Sequence, residues 1–294
     1  MVQSLINGQV ADVIDICNRG LAYGDGLFET IRVMGQRPVW LDQHLARLRR
    51  GCERLSLNLD EAALRSEISV MCQAGNVTER NVSDRDSADR DSADQGNTDH
   101  VLKVIITRGA AGRGYRPDPS QAVERILQLS AYLADPNPAQ QGIALFNCQT
   151  RLARQPLLAG LKHLNRLEQV LAAAELPIDC REGLMQDTAG LVIEGTRSNV
   201  FVVTAGQLCT PSLSQAGIDG VLREWLCEVM NVQVRDIESA EVLAAQEIFV
   251  GNSVFGIYPV TSVRDSTGVI TSFQAGEMTR ACQAHLHQAT GIVG

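Results

Sequence analysis

The order of strand and helix patterns along the chain is the feature that most restricts its fold. Strand-like apolar runs occupy residues 101–109 and 124–133, with only a Gly/Pro-rich loop between them, and several more follow closely between residues 183 and 211. A doubly wound parallel sheet needs a helix between successive strands, because parallel neighbours require a crossover connection. We therefore expect an α/β chain of the mixed α+β kind, in which strands and helices share both halves.

The length and two polar segments predict how the chain is divided. With 294 residues the chain can form two domains. The polar, proline-containing segment 134–142 predicts a linker between a smaller α+β domain, residues 1–133, and a larger domain, residues 143–294. Segment 75–100 holds two copies of Arg-Asp-Ser-Ala-Asp and two valines as its large apolar residues. It buries too little surface to offset its ordering entropy, so we expect a disordered insertion there.

A tight turn is predicted near the N-terminus. Asn7 and Gly8 lie between two apolar runs. Both residue types tolerate positive φ, which a type I′ hairpin turn requires twice. The sequence therefore predicts a β-hairpin here.

Charge and composition exclude several classes of function. The net charge is −8, whereas binding to a nucleic-acid backbone requires a basic face. No apolar run reaches the roughly 20 residues of a membrane helix, and the first residues lack the basic start of a signal peptide. We therefore expect no nucleic-acid or membrane partner and a cytoplasmic location. The eight cysteines show no Cys-x-x-Cys spacing, so we expect no metal site.

Lysine is almost absent from this chain. Its 26 basic residues include only two lysines, Lys103 and Lys162. A lysine amine can bond covalently to a carbonyl, which arginine cannot do because it stays protonated. Lys103 alternates with apolar residues in a strand, and a solvent-facing position explains it. Lys162 lies among leucines at an irregular junction before a helix, so it is the candidate for covalent chemistry with pyridoxal phosphate.

Other parts of a pyridoxal phosphate site are present. Glu194 ends an apolar strand pattern and is either capped by backbone amides or functional, as a partner for the pyridine nitrogen. The segment Gln-Ala-Gly-Ile-Asp-Gly precedes a helix whose N-terminal amides could hold a phosphate, and Arg47 could add a guanidinium. Nucleotide-binding P-loop, Gly-x-Ser-x-Gly and His-Glu-x-x-His patterns are absent.

Motifs distributed over nearly the whole chain resemble the fold-type IV pyridoxal phosphate enzymes. The motifs are GDGLFETIRV, HLARL, KVIITRGAAGRGY, LAGLKHLNRLEQVL, IEGTRSNVFVV, AGIDGVLRE and GNSVFGIYPV. This family includes branched-chain and D-amino acid aminotransferases and the aminodeoxychorismate lyases. The resemblance implies a two-domain fold, a barrel-like β core in the second domain, and a homodimer. One departure is Asn18-Arg19-Gly20, where the family usually has Asp-Arg-Gly.

The resemblance also implies roles for individual residues. It makes Lys162 the Schiff-base lysine and proton-transfer base, and Glu194 the acid at the pyridine nitrogen. It assigns Thr30 to catalysis and substrate binding, because it lies in the strand that faces the substrate. The other implied cofactor contacts are Arg47, Ser198, Asn199, Ile218, Asp219, Asn252 and Ser253, and the other implied substrate contacts are Arg108, Arg113 and Tyr115.

Two segments favour one branch of the family. KHLNRLEQ and RGAAGRGY are most similar to the aminodeoxychorismate lyases, which release 4-aminobenzoate and pyruvate for folate synthesis. The expected substrate is therefore a small molecule, 4-amino-4-deoxychorismate. A D-amino acid or branched-chain aminotransferase would share the same lysine, glutamate and arginine, so both alternatives stay open. A non-catalytic binding protein that keeps the fold is the third.

Overall fold

The computed structural model describes residues 3–83, 99–110, 114–118 and 120–292. The chain forms two compact units. The first consists of Met1–Ala134 together with Lys162–Leu164, and the second of Asp135–Leu161 together with Asn165–Gly294. The short segment that carries Lys162 therefore belongs to the first unit, although most of its sequence neighbours belong to the second.

Fifteen strands and eight helices alternate irregularly along the described residues. The strands are β1 Gln3–Ile6, β2 Gln9–Val10, β3 Gly26–Met34, β4 Arg37–Pro38, β5 His100–Thr107, β6 Glu124–Ala131, β7 Ile143–Leu152, β8 Glu182–Asp187, β9 Val192–Gly195, β10 Asn199–Thr204, β11 Gln207–Pro211, β12 Gln233–Arg235, β13 Glu247–Asn252, β14 Gly256–Arg264 and β15 Ile270–Ser272. The helices are α1 Arg19–Tyr23, α2 Leu41–Leu55, α3 Glu61–Ser83, α4 Asn137–Gln141, α5 Leu167–Ala174, α6 Val221–Val229, α7 Ser239–Leu243 and α8 Glu277–Thr290. Within the described ranges, no helix combines the length and apolar character needed to cross a lipid bilayer.

The first unit is built on an antiparallel six-stranded sheet. Its strand order is β2-β1-β6-β5-β3-β4. Helices α2 and α3 bury leucines against one face, among them Leu45 and Leu64, which are almost completely shielded from solvent. Gly51 permits the close approach of α2, because a Cβ atom there would lie 2.7 Å from Leu27 Cδ1. All described pairs of neighbouring strands in this sheet are antiparallel, which confirms the mixed α+β prediction.

The N-terminal hairpin is confirmed. β1 and β2 pair in register from Leu5 with Val10 and from Ile6 with Gln9. Asn7 and Gly8 both have positive φ, 49° and 77°. This is the backbone that a type I′ turn demands, and it explains why these two residue types stand there.

The second unit contains a nine-stranded mixed sheet. Eight strands run in the order β12-β11-β10-β13-β14-β7-β8-β9, and β15 pairs with β14. The two edge strands of this order, β12 and β9, lie close together. The Val192 amide in β9 donates a hydrogen bond to the carbonyl of Ile237, which follows β12. The sheet therefore curls into a barrel-like core, as expected. Fully buried residues such as Val200 and Val260 fill it.

The structure corrects two predicted segments. The division between the units falls between Ala134 and Asp135, so residues 135–142 of the predicted linker are grouped with the second unit. They include helix α4, where Ala139 is buried and its carbonyl accepts a bond from Gln283; proline in the first turn favours such a helix. Helix α3 continues to Ser83, because adding a residue to an existing helix is much easier than starting one. Residues 84–98 of the expected insertion lie outside the described residues, and β5 begins at His100.

Candidate active site

Backbone pairing holds the Lys162 segment against β3. The Phe28 amide donates to the Lys162 carbonyl at 2.9 Å, and the Leu164 amide donates to the Gly26 carbonyl at 3.0 Å. Leu27 and His163 form the antiparallel bridge between these two bonds. The lysine backbone is therefore fixed at the edge of the first unit's sheet.

The side chain of Lys162 lies on the Phe28 face of that sheet. Its Nζ atom is 4.3 Å from the centroid of the Phe28 ring. Side chains alternate along a strand, so Thr30 projects from the same face as Phe28. Thr30 is partly exposed there. Thr30, whose catalytic role stays a prediction, therefore lies on the same sheet face as Lys162.

The opposite face of β3 carries a buried charged cluster. Glu29 is fully buried beneath α2, and its Oε1 atom accepts a hydrogen bond from Arg47 Nε at 2.8 Å. Arg47 Nη2 and His44 Nδ1 both contact Glu29 Oε2, the latter at 2.6 Å. Arg47, the predicted phosphate ligand, is thus oriented by a carboxylate through two of its nitrogens.

The charge states of this cluster follow from its contacts. Burial alone would raise the pKa of Glu29, but the charge of Arg47 and the hydrogen bonds from His44 and Arg47 outweigh it and lower the pKa to about 2. Burial lowers the pKa of His44, and Glu29 only partly opposes this. Glu29 is therefore ionised and His44 is neutral near pH 7. Among the described residues, His44 Nε2 has no hydrogen-bond partner.

Glu194 is a buried carboxylate in the second unit. It lies in β9 and is 3% exposed. Its Oε2 atom accepts the Ile218 amide at 2.8 Å, and its Oε1 atom accepts Gln169 Nε2 at 3.3 Å. Arg166 lies close enough for the Glu194 charge to act on it; burial lowers the pKa of Arg166, and Glu194 opposes that shift. The carboxylate is thus capped by an amide and also set in a polar, charged surrounding, which suits a partner for a protonated ring nitrogen.

The two amides predicted to hold a phosphate have acceptors within the chain. The Ile218 amide bonds to Glu194, as above, and the Asp219 amide donates to the Gly160 carbonyl at 3.1 Å. This differs from the expectation that both are open to a ligand. The reason is that a buried carboxylate requires donors, and Ile218 supplies one. The Asp219 side chain is bonded to Arg223.

Helix α6 begins immediately after this segment without a side-chain cap. Its N-cap residue is Gly220, which has no side chain that could cap the first turn. A Cβ atom at Gly220 would lie 2.0 Å from Asn199 Oδ1, so any larger residue would force the Asn199 side chain to move. The Asn199 amide group donates to the Ile218 carbonyl. An uncapped N-terminus of this kind can receive an anion.

Two further predicted cofactor contacts, Ser198 and Asn252, have hydrogen-bond partners within the chain, and a third, Ser253, lies next to Asn252. Ser198 Oγ donates to Glu182 Oε2 at 2.9 Å. Asn252 Oδ1 accepts the amides of Val254 and Phe255, which closes the turn between β13 and β14. Ser253 lies in that turn and is 9% exposed. Ser198 and Asn252 therefore shape their loops, and a direct cofactor contact by either stays a prediction.

Arg108 is placed differently from its predicted role. Its guanidinium is buried and donates to Asp25 Oδ2, to the Ser56 carbonyl and to the Leu55 carbonyl. Since each of its nitrogens already has an acceptor, we expect Arg108 to hold the end of α2 rather than to bind substrate. The Arg108 guanidinium is stable in this buried position because Asp25 provides a negative charge and the carbonyls at the end of α2 provide hydrogen-bond acceptors.

The loop after β5 is described only in part. Arg113, a predicted substrate contact, lies outside the described residues. Tyr115 is exposed, with its ring 5.4 Å from that of Tyr23. Arg19 donates to the carbonyls of Gly114 and Tyr115 and so ties this loop to α1.

Some contributors to the site were not predicted from the sequence. Glu29 and His44 were both missed, although each carries a signal. Glu29 shares the buried face of β3 with Leu27 and Ile31, and His44 shares a helical face with Leu41 and Leu48. A charged or titratable residue at a core position needs a partner, which marks it as part of a network.

Comparison with known proteins identifies the family. The model of the amino-transferase class IV family matches residues 26–263. Aminodeoxychorismate lyase of Vibrio harveyi is 31% identical over 96% of this chain and 98% of its own length. The crystal structure of 4-amino-4-deoxychorismate lyase from Pseudomonas aeruginosa is 41% identical, with a TM-score of 0.83, over 97% of this chain and 98% of that one. D-alanine aminotransferase of Bacillus licheniformis is 26% identical over 97% of this chain and 96% of its own. This chain belongs to the class IV aminotransferase family, with the two-domain architecture of fold type IV.

Proposed function

We propose that this chain is a pyridoxal phosphate-dependent lyase that converts 4-amino-4-deoxychorismate to 4-aminobenzoate and pyruvate. The observation that carries the proposal is the whole-length similarity to two lyases, at 31% and 41% identity. The aminotransferase similarity is weaker, at 26%. Since the enzyme families share a fold, the substrate assignment follows this sequence similarity rather than the architecture.

The chemistry of the side chains fits pyridoxal phosphate. Lys162 offers a primary amine on a fixed backbone, Glu194 a buried carboxylate, and Arg47 a guanidinium oriented by Glu29. The uncapped N-terminus of α6 adds backbone amides for an anion. When bound, pyridoxal phosphate withdraws electron density from the substrate carbon that loses a proton.

The protein residues then have separable tasks. Lys162 binds the cofactor and accepts the proton from C4 of the substrate ring. Glu194 would place its carboxylate against the ring nitrogen, and Arg47 would hold the phosphate. The bond between the substrate ring and the ether oxygen breaks, and the three-carbon fragment gains one proton to become pyruvate. Thr30 donates a hydrogen bond to that departing oxygen from the same sheet face as Lys162.

A coupled assay tests the proposal. Purified protein supplied with pyridoxal phosphate and 4-amino-4-deoxychorismate should release 4-aminobenzoate and pyruvate in equal amounts. Pyruvate is followed with lactate dehydrogenase and 4-aminobenzoate by its fluorescence. Rapid conversion of D-alanine or a branched-chain amino acid with 2-oxoglutarate, without release of 4-aminobenzoate, would assign the aminotransferase function instead.

Assembly and location are further parts of the proposal. The resemblance to fold-type IV enzymes supports a homodimer, and light scattering of the purified chain measures it directly. A mass of one chain at micromolar concentration would exclude this. The cytoplasmic location expected from the sequence is tested by cell fractionation.

A further inference from the structure

Arg19 contacts both described ends of the loop that begins after β5. Its backbone amide donates to the Gly109 carbonyl at 2.9 Å, close to the point where the chain leaves β5. Its guanidinium donates to the Gly114 carbonyl at 2.8 Å and to the Tyr115 carbonyl at 3.1 Å. A single residue therefore fixes the distance between the start of the loop and Tyr115.

The guanidinium of Arg19 is itself held in place. Arg19 is 3% exposed, and its Nε atom donates to Asp25 Oδ2 at 2.8 Å. Burial alone would raise the pKa of Asp25, but hydrogen bonds from Arg108 and Arg19 outweigh it and lower the pKa, so Asp25 is ionised near pH 7. All three nitrogens of the Arg19 guanidinium thus have an acceptor, an arrangement that needs the planar fork of arginine.

Two tyrosine rings extend this arrangement to the surface. Arg19 Cζ lies 4.9 Å from the centroid of the Tyr23 ring, and the Tyr23 ring lies 5.4 Å from the ring of Tyr115. Both distances allow attraction, of a cation to a ring in the first case and of ring to ring in the second. Tyr115 is 85% exposed. Its ring is therefore accessible, although Arg19 holds its backbone and Tyr23 contacts its side chain.

The loop begins at the end of the sheet where the Lys162 segment is held. Gly26 pairs with Thr107, the last residue of β5, and the Gly26 carbonyl accepts the Leu164 amide at 3.0 Å. Neighbouring strands lie about 5 Å apart, so β5 ends two strand spacings, about 10 Å, from the Lys162 segment. Because Arg19 ties Tyr115 back to the start of the loop, the Tyr115 ring lies within reach of a molecule bound at Lys162.

We propose that Arg19 is a positioning residue for substrate binding and that it acts through Tyr115. It keeps the exposed tyrosine ring where that ring can pack against the six-membered ring of the substrate. This inference rests on the proposed function, which supplies that substrate. A side chain that is already fixed loses less entropy when a ligand binds, so Arg19 contributes to substrate affinity without contacting the reacting atoms.

Steady-state kinetics of the holoenzyme test the inference. Lysine at position 19 keeps the charge beside Asp25 but cannot bond to three acceptors in this geometry. In Arg19→Lys the KM for 4-amino-4-deoxychorismate should therefore rise about tenfold. The value of kcat should stay within about twofold of the wild type, because Lys162 keeps its own contacts. A loss of folded protein would instead lower kcat and leave KM unchanged.

Tyr115→Ala gives a second measurement that does not depend on a buried substitution. Since the side chain is exposed, its removal should leave the unfolding midpoint unchanged while KM rises about tenfold. In the double variant, Arg19→Lys should add less than about twofold to KM, because the ring through which Arg19 acts is gone. Independent effects that multiply to about a hundredfold would overturn the inference.

Arg125→Lys is the matched control. Arg125 also forms a fork with a carboxylate of the first unit, since it donates to both oxygens of Glu67. Its register with Ile106, and that of Ile106 with Leu27, places it on the sheet face opposite Phe28. This variant should lower the unfolding midpoint and leave KM unchanged. An equal rise in KM for Arg125→Lys would show that a general loss of stability, not the position of Tyr115, weakens substrate binding.

The same kinetics separate the inference from the proposed function. If the wild type releases no 4-aminobenzoate, the proposed function is wrong and the role of Arg19 in substrate binding with it. If the wild type is active and either Arg19→Lys or Tyr115→Ala keeps a KM within about twofold of it, the inference alone is wrong.

Discussion

Lys162 and Phe28 are joined twice, once through their backbones and once through their side chains. The Phe28 amide donates to the Lys162 carbonyl at 2.9 Å, and Lys162 Nζ lies 4.3 Å from the Phe28 ring. The backbone bond fixes where the lysine starts, and the ring restricts where its amine can point. A flexible side chain with four rotatable bonds thereby loses much of its freedom before any ligand arrives.

Replacing Phe28 should therefore reduce kcat more than it reduces the fraction of the protein that carries bound cofactor. In Phe28→Leu the backbone pairing stays, but the ring contact with Nζ is lost, and we expect kcat to fall about tenfold because the amine is less well positioned. Phe28→Tyr keeps the ring and should stay within about threefold of the wild type. Equal kcat values for the Leu and wild-type proteins would show that the ring does not position the lysine.

Lys162→Arg should abolish activity while leaving the fold intact. The charge and the contact with Phe28 can persist, but a guanidinium stays protonated and cannot bond to the cofactor aldehyde. Borohydride treatment of the loaded wild type should attach the cofactor permanently to the peptide that contains residue 162, as mass spectrometry detects. Attachment at Lys103, or undiminished turnover in the variant, would contradict the assignment of Lys162.

The sequence singles out Lys162 as the candidate for the reactive lysine, but it does not reveal the contacts that orient the side chain. Lys162 was identified by the scarcity of lysine, and Glu194 by an acid in an apolar strand; both are properties of a local stretch. The pairing of Leu27 with His163, and the cluster of Glu29 with α2, join residues distant in sequence. Local periodicity carries no information about which distant partner a residue meets. Arg108 was misjudged for the same reason, because its acceptors lie at the end of α2.

The Glu29 cluster predicts how stability depends on pH. Glu29 has an ordinary pKa of 4.5 and a folded pKa of about 2, so the unfolded chain takes up its proton first as pH falls. The stabilisation is complete above about pH 4.5 and is lost toward pH 2. His44, whose folded pKa is lowered from 6.5, adds a decline that begins below that pH.

Urea unfolding across this pH range measures the effect. Glu29→Gln should be less stable than the wild type near pH 7, because Arg47 loses its buried carboxylate. It should also show a flatter decline in the free energy of unfolding below pH 4.5. An identical slope in the two proteins would mean that Glu29 does not titrate with the folded state.

Glu194→Gln should impair chemistry without unfolding the protein. The amide oxygen can still accept the Ile218 amide, but the negative charge is gone, and we expect kcat to fall about 100-fold. Glu182→Gln is a matched control. Glu182 is also a buried carboxylate in the second unit, and it bonds to Thr196 and Ser198. Glu182→Gln should lower the unfolding midpoint and change kcat little. A large fall in kcat for Glu182→Gln, with little change for Glu194→Gln, would show that the chemistry depends on Glu182 instead of Glu194.

Asn18→Asp should destabilise the first unit, even though the resemblance to fold-type IV enzymes implies aspartate at this position. Asn18 is fully buried, its Oδ1 accepts the Gly20 amide at 2.7 Å, and its Nδ2 donates to Thr107 and to the Glu124 carboxylate. An aspartate keeps the cap but replaces the donor by a second carboxylate facing Glu124. We expect a loss of about 1–3 kcal/mol in the free energy of unfolding at pH 7. The loss should shrink in acid, where a carboxyl can regain a proton and donate. Asn18→Ser retains a cap oxygen without the added charge, so a pH-independent loss of equal size in both variants would exclude repulsion as the cause.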